Sequence, residues 1–394
     1  MNPADTSRRS ILIVAGEPSA DRYGSRLVER LRELPGNQSL HFFGTGGDRM
    51  EQSGVELLCH ARDLASIGPH EAIPVLRRYF ETYRSLVRAA AERRPRAALL
   101  LDFPDFNLRL AKKLKRLGIK VIYYISPQLW AWRSHRIRLV RRYVDKMLVI
   151  LPFEEEYYQS RGVSAEYVGH PLLEDFAPEV DRQRLLERTG LDPNRKIVTV
   201  LPGSRRREVH HILPALLKAA QLVLQRVPVQ FLISTGTAID RSDLQRLTAK
   251  TLAGDPNASY FRVVSEDSRN LLANSDFAMV KSGTSTLEAA LIGVPFLIVY
   301  KLSPISWHLG WPLIKSRFVG LVNLIAQEEI VPEFLQEAAN PAALARKTLE
   351  YLENPGMGEK MKLQLSEIRE KLGQFCASRR AAAAVNAFLM DGGI

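Results

Sequence analysis

The sequence predicts an α/β protein of two doubly wound domains, and three observations predict it. Short β-branched runs alternate with longer helical patterns, the alternation passes through two successive halves, and the chain is long enough for two or three domains. Strands separated by helices of this length pair in parallel, with both faces of each sheet covered. Between the halves the pattern breaks at 169–181, where Gly-His-Pro and then Pro178 intervene. The expected domains are therefore 1–172 and 173–360, followed by a helical tail over 361–394.

Taken in order, the first half offers strands at 11–15, 40–44, 97–101, 120–125 and 146–150. Helical patterns lie between them at 22–34, 76–93, 107–117 and 135–143. The second half repeats the scheme, with strands at 197–201, 229–234, 260–264, 277–280 and 296–300. Its helices are expected at 209–225, 242–252, 268–273 and 286–291. From Pro341 onward the chain reads as helical and ends in a run of alanines. The tail either crosses back to the first domain or exchanges with a second copy in a homodimer.

Composition narrows the function. With 46% apolar and 25% charged residues among 394, the chain has the makings of a packed core, which excludes disordered and collagen-like classes. Lys and Arg number 55 against 43 Asp and Glu, a net charge of +12. Such a field draws nucleic acid, anionic lipid or phosphorylated small molecules. Two cysteines, Cys59 and Cys376, make neither a disulfide framework nor a zinc pair, so a reduced, cytoplasmic protein is expected. No secretory pattern opens the chain, and the most apolar stretches, 121–132 and 287–300, fall short of the ~18–20 residues of a bilayer span.

Open α/β sheets bind ligands outside the carboxyl ends of their strands, and two such domains are expected to face a cleft. Five turns follow strands and carry polar residues. In Ala15-Gly-Glu-Pro-Ser-Ala-Asp21, Pro18 suits a first helical position and Ser19 or Asp21 could cap the helix, which leaves Glu17 unexplained by structure alone. In Leu101-Asp-Phe-Pro-Asp-Phe-Asn107, Asp105 reads as a helix cap. Asp102, just past an apolar strand, reads as a base with a raised pKa. Ile125-Ser-Pro-Gln-Leu-Trp-Ala-Trp-Arg133 leads into arginines 136, 138, 141 and 142. A solvated helix face is the plainer reading there, and base stacking or phosphate binding the other.

Gly203, Ser204 and Arg205, in Leu201-Pro-Gly-Ser-Arg-Arg-Arg-Glu208, suit a diphosphate at a helix start, although the pattern is not a P-loop. Finally, Ser285-x-x-Glu288 matches a capping box. The small donors Ser282, Gly283 and Thr284 around it also suit an anion, and Glu288 suits ribose hydroxyls. The glycines at 44–47 lack the third member of a dinucleotide fingerprint, and the eight histidines show no metal-ligand spacing. The mixed aromatic and basic stretch 307–317 is core or membrane-facing on equal grounds.

Together these strings resemble the lipid-A-disaccharide synthase family. They run in family order as Val14-Ala-Gly-Glu-Pro-Ser-Ala-Asp21, Pro104-Asp-Phe-Asn-Leu-Arg-Leu-Ala-Lys112, Tyr124-Ile-Ser-Pro-Gln-Leu-Trp-Ala-Trp-Arg133 and Leu151-Pro-Phe-Glu154. Val168-Gly-His-Pro-Leu172, Leu201-Pro-Gly-Ser-Arg205, Ser282-Gly-Thr-Ser-Thr-Leu-Glu288, Val322-Asn-Leu-Ile-Ala326 and Val331-Pro-Glu-Phe-Leu-Gln336 complete the series. The chain departs from the family at Ala20, at 67–73 (Ile-Gly-Pro-His-Glu-Ala-Ile) and in the extra arginines 206 and 207.

The resemblance implies two Rossmann-like domains in the GT-B architecture. It implies an inverting transfer of 2,3-diacylglucosamine from UDP to 2,3-diacylglucosamine 1-phosphate, giving the β-1,6 disaccharide of lipid A. Asp102 matches the family's base, Glu17 and Ser19 its first turn near the acceptor, and Ser204, Arg205, Ser282, Thr284, Glu288 and Asn323 its nucleotide side. No cofactor and no metal are implied. The expected location is cytoplasmic, peripheral on the inner face of the inner membrane, with 64–76 and 307–317 as lipid-facing candidates. Rival readings are another UDP-N-acetylglucosamine transferase or epimerase on the same scaffold, a basic nucleic-acid-binding protein, and a lipid-binding relative without transfer activity.

Overall fold

A computed structural model describes residues 10–65, 72–131, 133–234, 239–301, 316–373 and 376–391. The chain divides into two compact units, residues 1–175 with 372–394 and residues 176–371. The boundaries thus fall slightly later than 172/173 and 360/361.

In the first unit the strands are β1 (Ser10–Ala15), β2 (His41–Gly46), β3 (Glu56–His60), β4 (Ala97–Leu101), β5 (Lys120–Tyr124), β6 (Lys146–Val149) and β7 (Ala165–Tyr167). The helices used below are α1 (Pro18–Glu33), α2 (Asp48–Gln52), α3 (Pro104–Arg116), α4 (Ile137–Tyr143) and α5 (Pro152–Gln159). All strands pair in parallel, in the order β3-β2-β1-β4-β5-β6-β7. Period-two alternation sends β1 into two cores. Ile11, Ile13 and Ala15 pack with Leu27, Val28 and Leu31 of α1, while Leu12 and Val14 pack with Phe106, Leu110 and Leu114 of α3. A sheet buried on both faces explains why its central strands read as continuous apolar runs.

The second unit holds β8 (Lys196–Leu201), β9 (Val229–Ile233), β10 (Phe261–Val263), β11 (Phe277–Lys281), β12 (Phe296–Tyr300) and β13 (Glu333–Leu335). Its helices include α6 (Arg182–Thr189), α7 (Arg206–Leu224), α8 (Arg241–Thr251), α9 (Ser268–Ala273), α10 (Thr284–Ile292), α11 (Leu321–Ala326), α12 (Pro341–Glu353) and α13 (Pro355–Leu372). The sheet is again parallel, in the order β10-β9-β8-β11-β12-β13. Val209, Ile212, Leu213, Leu216 and Leu217 of α7 cover one face together with Leu344, Ala345 and Leu352 of α12.

The C-terminal helix α14 (Ala377–Asp391) packs on the first unit. Ala381, Ala382, Val385 and Leu389 enter the core beside α1. Arg96 donates to the Leu389 carbonyl at 2.5 Å, and Asn37 Nδ2 donates to Asn386 Oδ1 at 2.8 Å. Ser378 N–H and Oγ donate to the Glu174 carboxylate at 2.5 and 2.7 Å.

Three strands fall outside the predicted set: β3, β7 and β13. Each lies at a sheet edge and carries half-buried or exposed residues, so it lacks the apolar run that marks the central strands. Among the described residues no helix is long and apolar enough to cross a membrane. The segments 66–71 and 302–315, which hold most of the two lipid-facing candidates, and Trp132 lie outside the described residues.

Candidate functional site

Each sheet reverses its strand order once. In the first unit the reversal lies between β1 and β4, since the chain winds from β1 to β2 and β3 on one side and from β4 to β7 on the other. The turn carrying Glu17 follows β1, and the turn carrying Asp102 follows β4. That is the position where open parallel sheets bind ligands.

The turn after β4 is held in an uncommon shape. Asp102 and Phe103 have φ of 47° and 48°, the left-handed region, which costs a non-glycine residue about 1–3 kcal/mol. Asp102 N–H donates to the Tyr124 carbonyl at 3.1 Å. The Asp102 carbonyl accepts from Asn107 Nδ2 at 2.8 Å and from the Tyr123 hydroxyl at 2.5 Å. The Phe103 ring stacks on Phe106, centroids 5.3 Å apart. Burial first, and the charge of Glu17 second, push the Asp102 carboxyl up to about 6, against the lowering effect of the Phe103 N–H.

Gly16 makes room for this arrangement, because a Cβ there would stand 2.6 Å from Phe103 Cδ1. Gly16→Ala is therefore expected to displace Phe103 together with the neighbouring acid. The overpacking costs about 1–3 kcal/mol, and turnover should fall at least tenfold (roughly 1.4 kcal/mol in the barrier). Parental turnover in the variant would mean that Phe103 yields without moving Asp102.

Two helix caps are corrected here. Asp105 does not cap α3; Phe103 holds the N-cap position, and Asp105 instead pairs with Arg133 at 3.1 Å and Arg136 at 2.6 Å. Neither Ser19 nor Asp21 caps α1, whose N-cap is Glu17 without a side-chain bond. Ser19 is exposed, while buried Asp21 accepts from the N–H groups of Gly47, Arg49 and Met50 and so caps α2. Arg138, Arg141 and Arg142 are exposed on α4, as a solvated helix face requires.

Sequence reasoning missed what fixes the turn after β5. The carboxylate of fully buried Glu154, on α5, accepts from Ser126 Oγ at 2.7 Å and Trp130 Nε1 at 3.0 Å. It also accepts from the N–H groups of Leu151 and Ile150 at 3.1 and 3.3 Å. The Tyr158 hydroxyl donates to the Pro127 carbonyl at 2.6 Å. A single helix thus clamps residues 126–130. The only signal was an acid inside an otherwise helix-like string.

In the second unit the reversal lies between β8 and β11. A cavity of about 250 Å³ opens there, lined by Leu201, Gly203, Ser204, Ser234, Ser268 and residues Lys281 to Ser285, with Glu288. Two helix starts, those of α7 and α10, supply N–H groups at this end of the sheet. Gly203 has φ of +119°, a region open mainly to glycine, and a Cβ there would lie 3.1 Å from Glu208 Oε2.

The structure thus gathers Gly203, Ser204, Ser282, Gly283, Thr284 and Glu288 at one cavity. Arg205 stands at the N-cap of α7 outside the lining, with its side chain 3.6 Å from Glu208. Asn323 is corrected: it is fully buried and does not line the cavity. Its Nδ2 donates to Val331 O and Glu333 Oε1, and its Oδ1 accepts from Ile330 and Val331 N–H. Glu333 also accepts from Val319 and Gly320 N–H, and Val319 O accepts from Ser282 Oγ at 2.9 Å, so Asn323 supports the cavity wall from behind.

The capping box is corrected as well. The N-cap of α10 is Gly283, so Ser285 already lies inside the helix, and Glu288 accepts from Ser268 Oγ at 3.3 Å. Lys281, Ser234 and Ser268 complete the lining and were not anticipated. The available signal was a polar residue closing or following an apolar strand, which Lys281 and Ser234 both are. Among the described residues no three His, Cys, Asp or Glu side chains gather as a metal-holding group.

Residues 11–388 match the family model described as lipid-A-disaccharide synthetase. The lipid-A-disaccharide synthase of Anaeromyxobacter sp. (strain K) is 43% identical over 382 residues, 95% of this chain and 96% of that protein. That of Geobacter sulfurreducens is 39% identical over 385 residues, 97% of each. Among solved structures, the UDP-GlcNAc 2-epimerase of Neisseria meningitidis bound to UDP-GlcNAc superposes with a TM-score of 0.63 at 12% identity, covering 97% of this chain and all of that one. The calicheamicin glycosyltransferase superposes with a TM-score of 0.57 at 15% identity, over 98% of this chain and all of that one. These two likenesses fix the fold as two Rossmann-like units of the GT-B kind. On a near-complete family match and relatives at about 40% identity, the chain belongs to the lipid-A-disaccharide synthase family.

Proposed function

We propose that the chain transfers 2,3-diacylglucosamine from its UDP donor to 2,3-diacylglucosamine 1-phosphate, releasing UDP and forming a β-1,6 disaccharide 1-phosphate. Family membership makes it a glycosyltransferase. The observation that carries the residue assignment is the coincidence of two polar sites with the two switch points, an acid in one unit and an anion-suited cavity in the other.

The donor's diphosphate lies at the cavity between β8 and β11, against the N–H groups of the α7 and α10 starts, with Ser204 and Thr284 as hydroxyl donors. Glu288 accepts from ribose hydroxyls. The acceptor's 6-hydroxyl oxygen forms a bond to C1 of the donor sugar. The C1–O bond to the β-phosphate breaks on the opposite face, its electron pair leaving with UDP, and the hydroxyl proton passes to Asp102. One displacement inverts the anomeric centre. Glu17 keeps Asp102 basic by its charge, and Ser19 stands at the same turn, open to the acceptor.

Both substrates carry acyl chains, so the chain meets them at a lipid surface. The net charge of +12 supports a peripheral position on anionic lipid at the inner face of the inner membrane. A mass-spectrometric transfer assay tests the reading with UDP-2,3-diacylglucosamine and 2,3-diacylglucosamine 1-phosphate as substrates. Disaccharide and UDP are expected, with no product from UDP-N-acetylglucosamine. Turnover of the unacylated donor at an equal rate would move the assignment to another UDP-sugar enzyme.

A further inference from the structure

Of the described residues lining the second unit's cavity, Lys281 alone carries a positive charge. It closes β11 at the switch point, one residue before the small donors of the α10 start. Its side chain is 17% exposed, and Nζ lies 3.1 Å from Glu208 Oε2. Glu208 sits in the first turn of the 19-residue helix α7, where the helix dipole favours a carboxylate. A lysine side chain is flexible, and this carboxylate restrains its end beside the cavity. Gly203 leaves room beside the pair, since a Cβ there would crowd Glu208 Oε2 at 3.1 Å and come within ordinary contact of Lys281 Cδ at 3.5 Å.

The other donors at this place are neutral: hydroxyls and helix N–H groups. Neutral donors hold a diphosphate, whereas a cation gains most as negative charge accumulates on it. Resting on the donor-cavity reading above, we infer that Lys281 is a catalytic residue that donates from Nζ to the β-phosphate of the UDP-sugar, held for that task by Glu208. When the C1–O bond breaks, its electron pair passes to the β-phosphate oxygen and UDP departs with one negative charge more than it carried within the donor. Lys281 meets that charge, and no proton moves to or from it.

Calorimetric titration of UDP and UMP into the parent chain, Lys281→Met, Lys281→Arg and the double variant Lys281→Met/Glu208→Gln tests the inference, alongside donor kinetics. The double variant removes both charges of the pair, so the effect of losing Lys281 is read without the Glu208 charge it leaves beside the cavity. Loss of Lys281 is expected to weaken UDP about 10–100-fold, to leave UMP within about threefold, and to lower kcat about 10²-fold. Lys281→Arg should keep most of the UDP affinity. Met variants that retain the parental ratio of UDP to UMP affinity overturn the role of Lys281.

A further variant, Ser204→Trp, fills the cavity from an exposed position. If it abolishes UDP binding while the Met variants keep the parental ratio, the cavity holds the donor and only the lysine's role falls. If UDP binding survives the tryptophan, the donor-cavity reading falls, and the lysine's role with it.

Discussion

Asp102→Asn is expected to lower turnover by about 10²–10⁴-fold, the usual worth of a positioned general base. Asparagine keeps the shape of the side chain but cannot accept the acceptor's proton. For the parent chain, kcat/KM should fall on the acidic side with a midpoint near the Asp102 value of about 6, and the variant should lose that limb. The same substitution should raise stability at neutral pH. The carboxyl is raised in the folded state above its unfolded value near 4. The folded chain therefore binds this proton more tightly, a preference that favours folding below about pH 4 and is lost as pH rises through about 6. Above that, the ionised acid costs the fold about 1–3 kcal/mol, which asparagine removes. Thermal unfolding at pH 5 and pH 8 reads the difference: the variant's advantage should appear at pH 8 and shrink at pH 5. Full turnover by Asp102→Asn would dismiss the base.

Glu154→Leu is expected to cost the first unit about 3–5 kcal/mol. Leucine removes one acceptor group but leaves four donors, Ser126 Oγ, Trp130 Nε1 and two N–H groups, without it in a buried place. Burial raises the Glu154 carboxyl above the usual range, and its four donors oppose that shift. Glutamine, which keeps one acceptor oxygen, should lose roughly half as much. Denaturant unfolding measures both, and the near-ultraviolet signal of Trp130 should change in Glu154→Leu before the sheet unfolds. A leucine variant within about 1 kcal/mol of the parent would mean that water replaces the carboxylate.

The fold was legible wherever the sheet is buried on both faces, because β1, β4, β8 and β11 are buried runs, apolar between their ends except at Thr199, bounded by turn residues. Asp102 was legible for a related reason: an acid directly after such a run is committed to the carboxyl end of a buried strand. What eluded sequence reasoning was the employment of polar side chains whose partners lie far along the chain. Asp21 looks like a local cap, yet its partners are 26 to 29 residues away. Asn323 looks like a ligand contact, yet it closes its own loop within eight residues and reaches Glu333 ten residues on. The Ser285-x-x-Glu288 spacing is compatible with a cap, but Gly283 takes that place and releases Glu288 to the cavity.

The return of α14 to the first unit bears on how the protein is made. Synthesis runs from the amino end, so residues 1–175 leave the ribosome without the helix that covers part of their core, and the whole of 176–371 must follow before it arrives. Until then the surface that receives Ala381, Val385 and Leu389 is bare apolar area. The second unit has no such wait, since it is one continuous stretch, 176–371. The unit whose strands are made first is therefore the one whose core receives its last element only when the end of the chain is made.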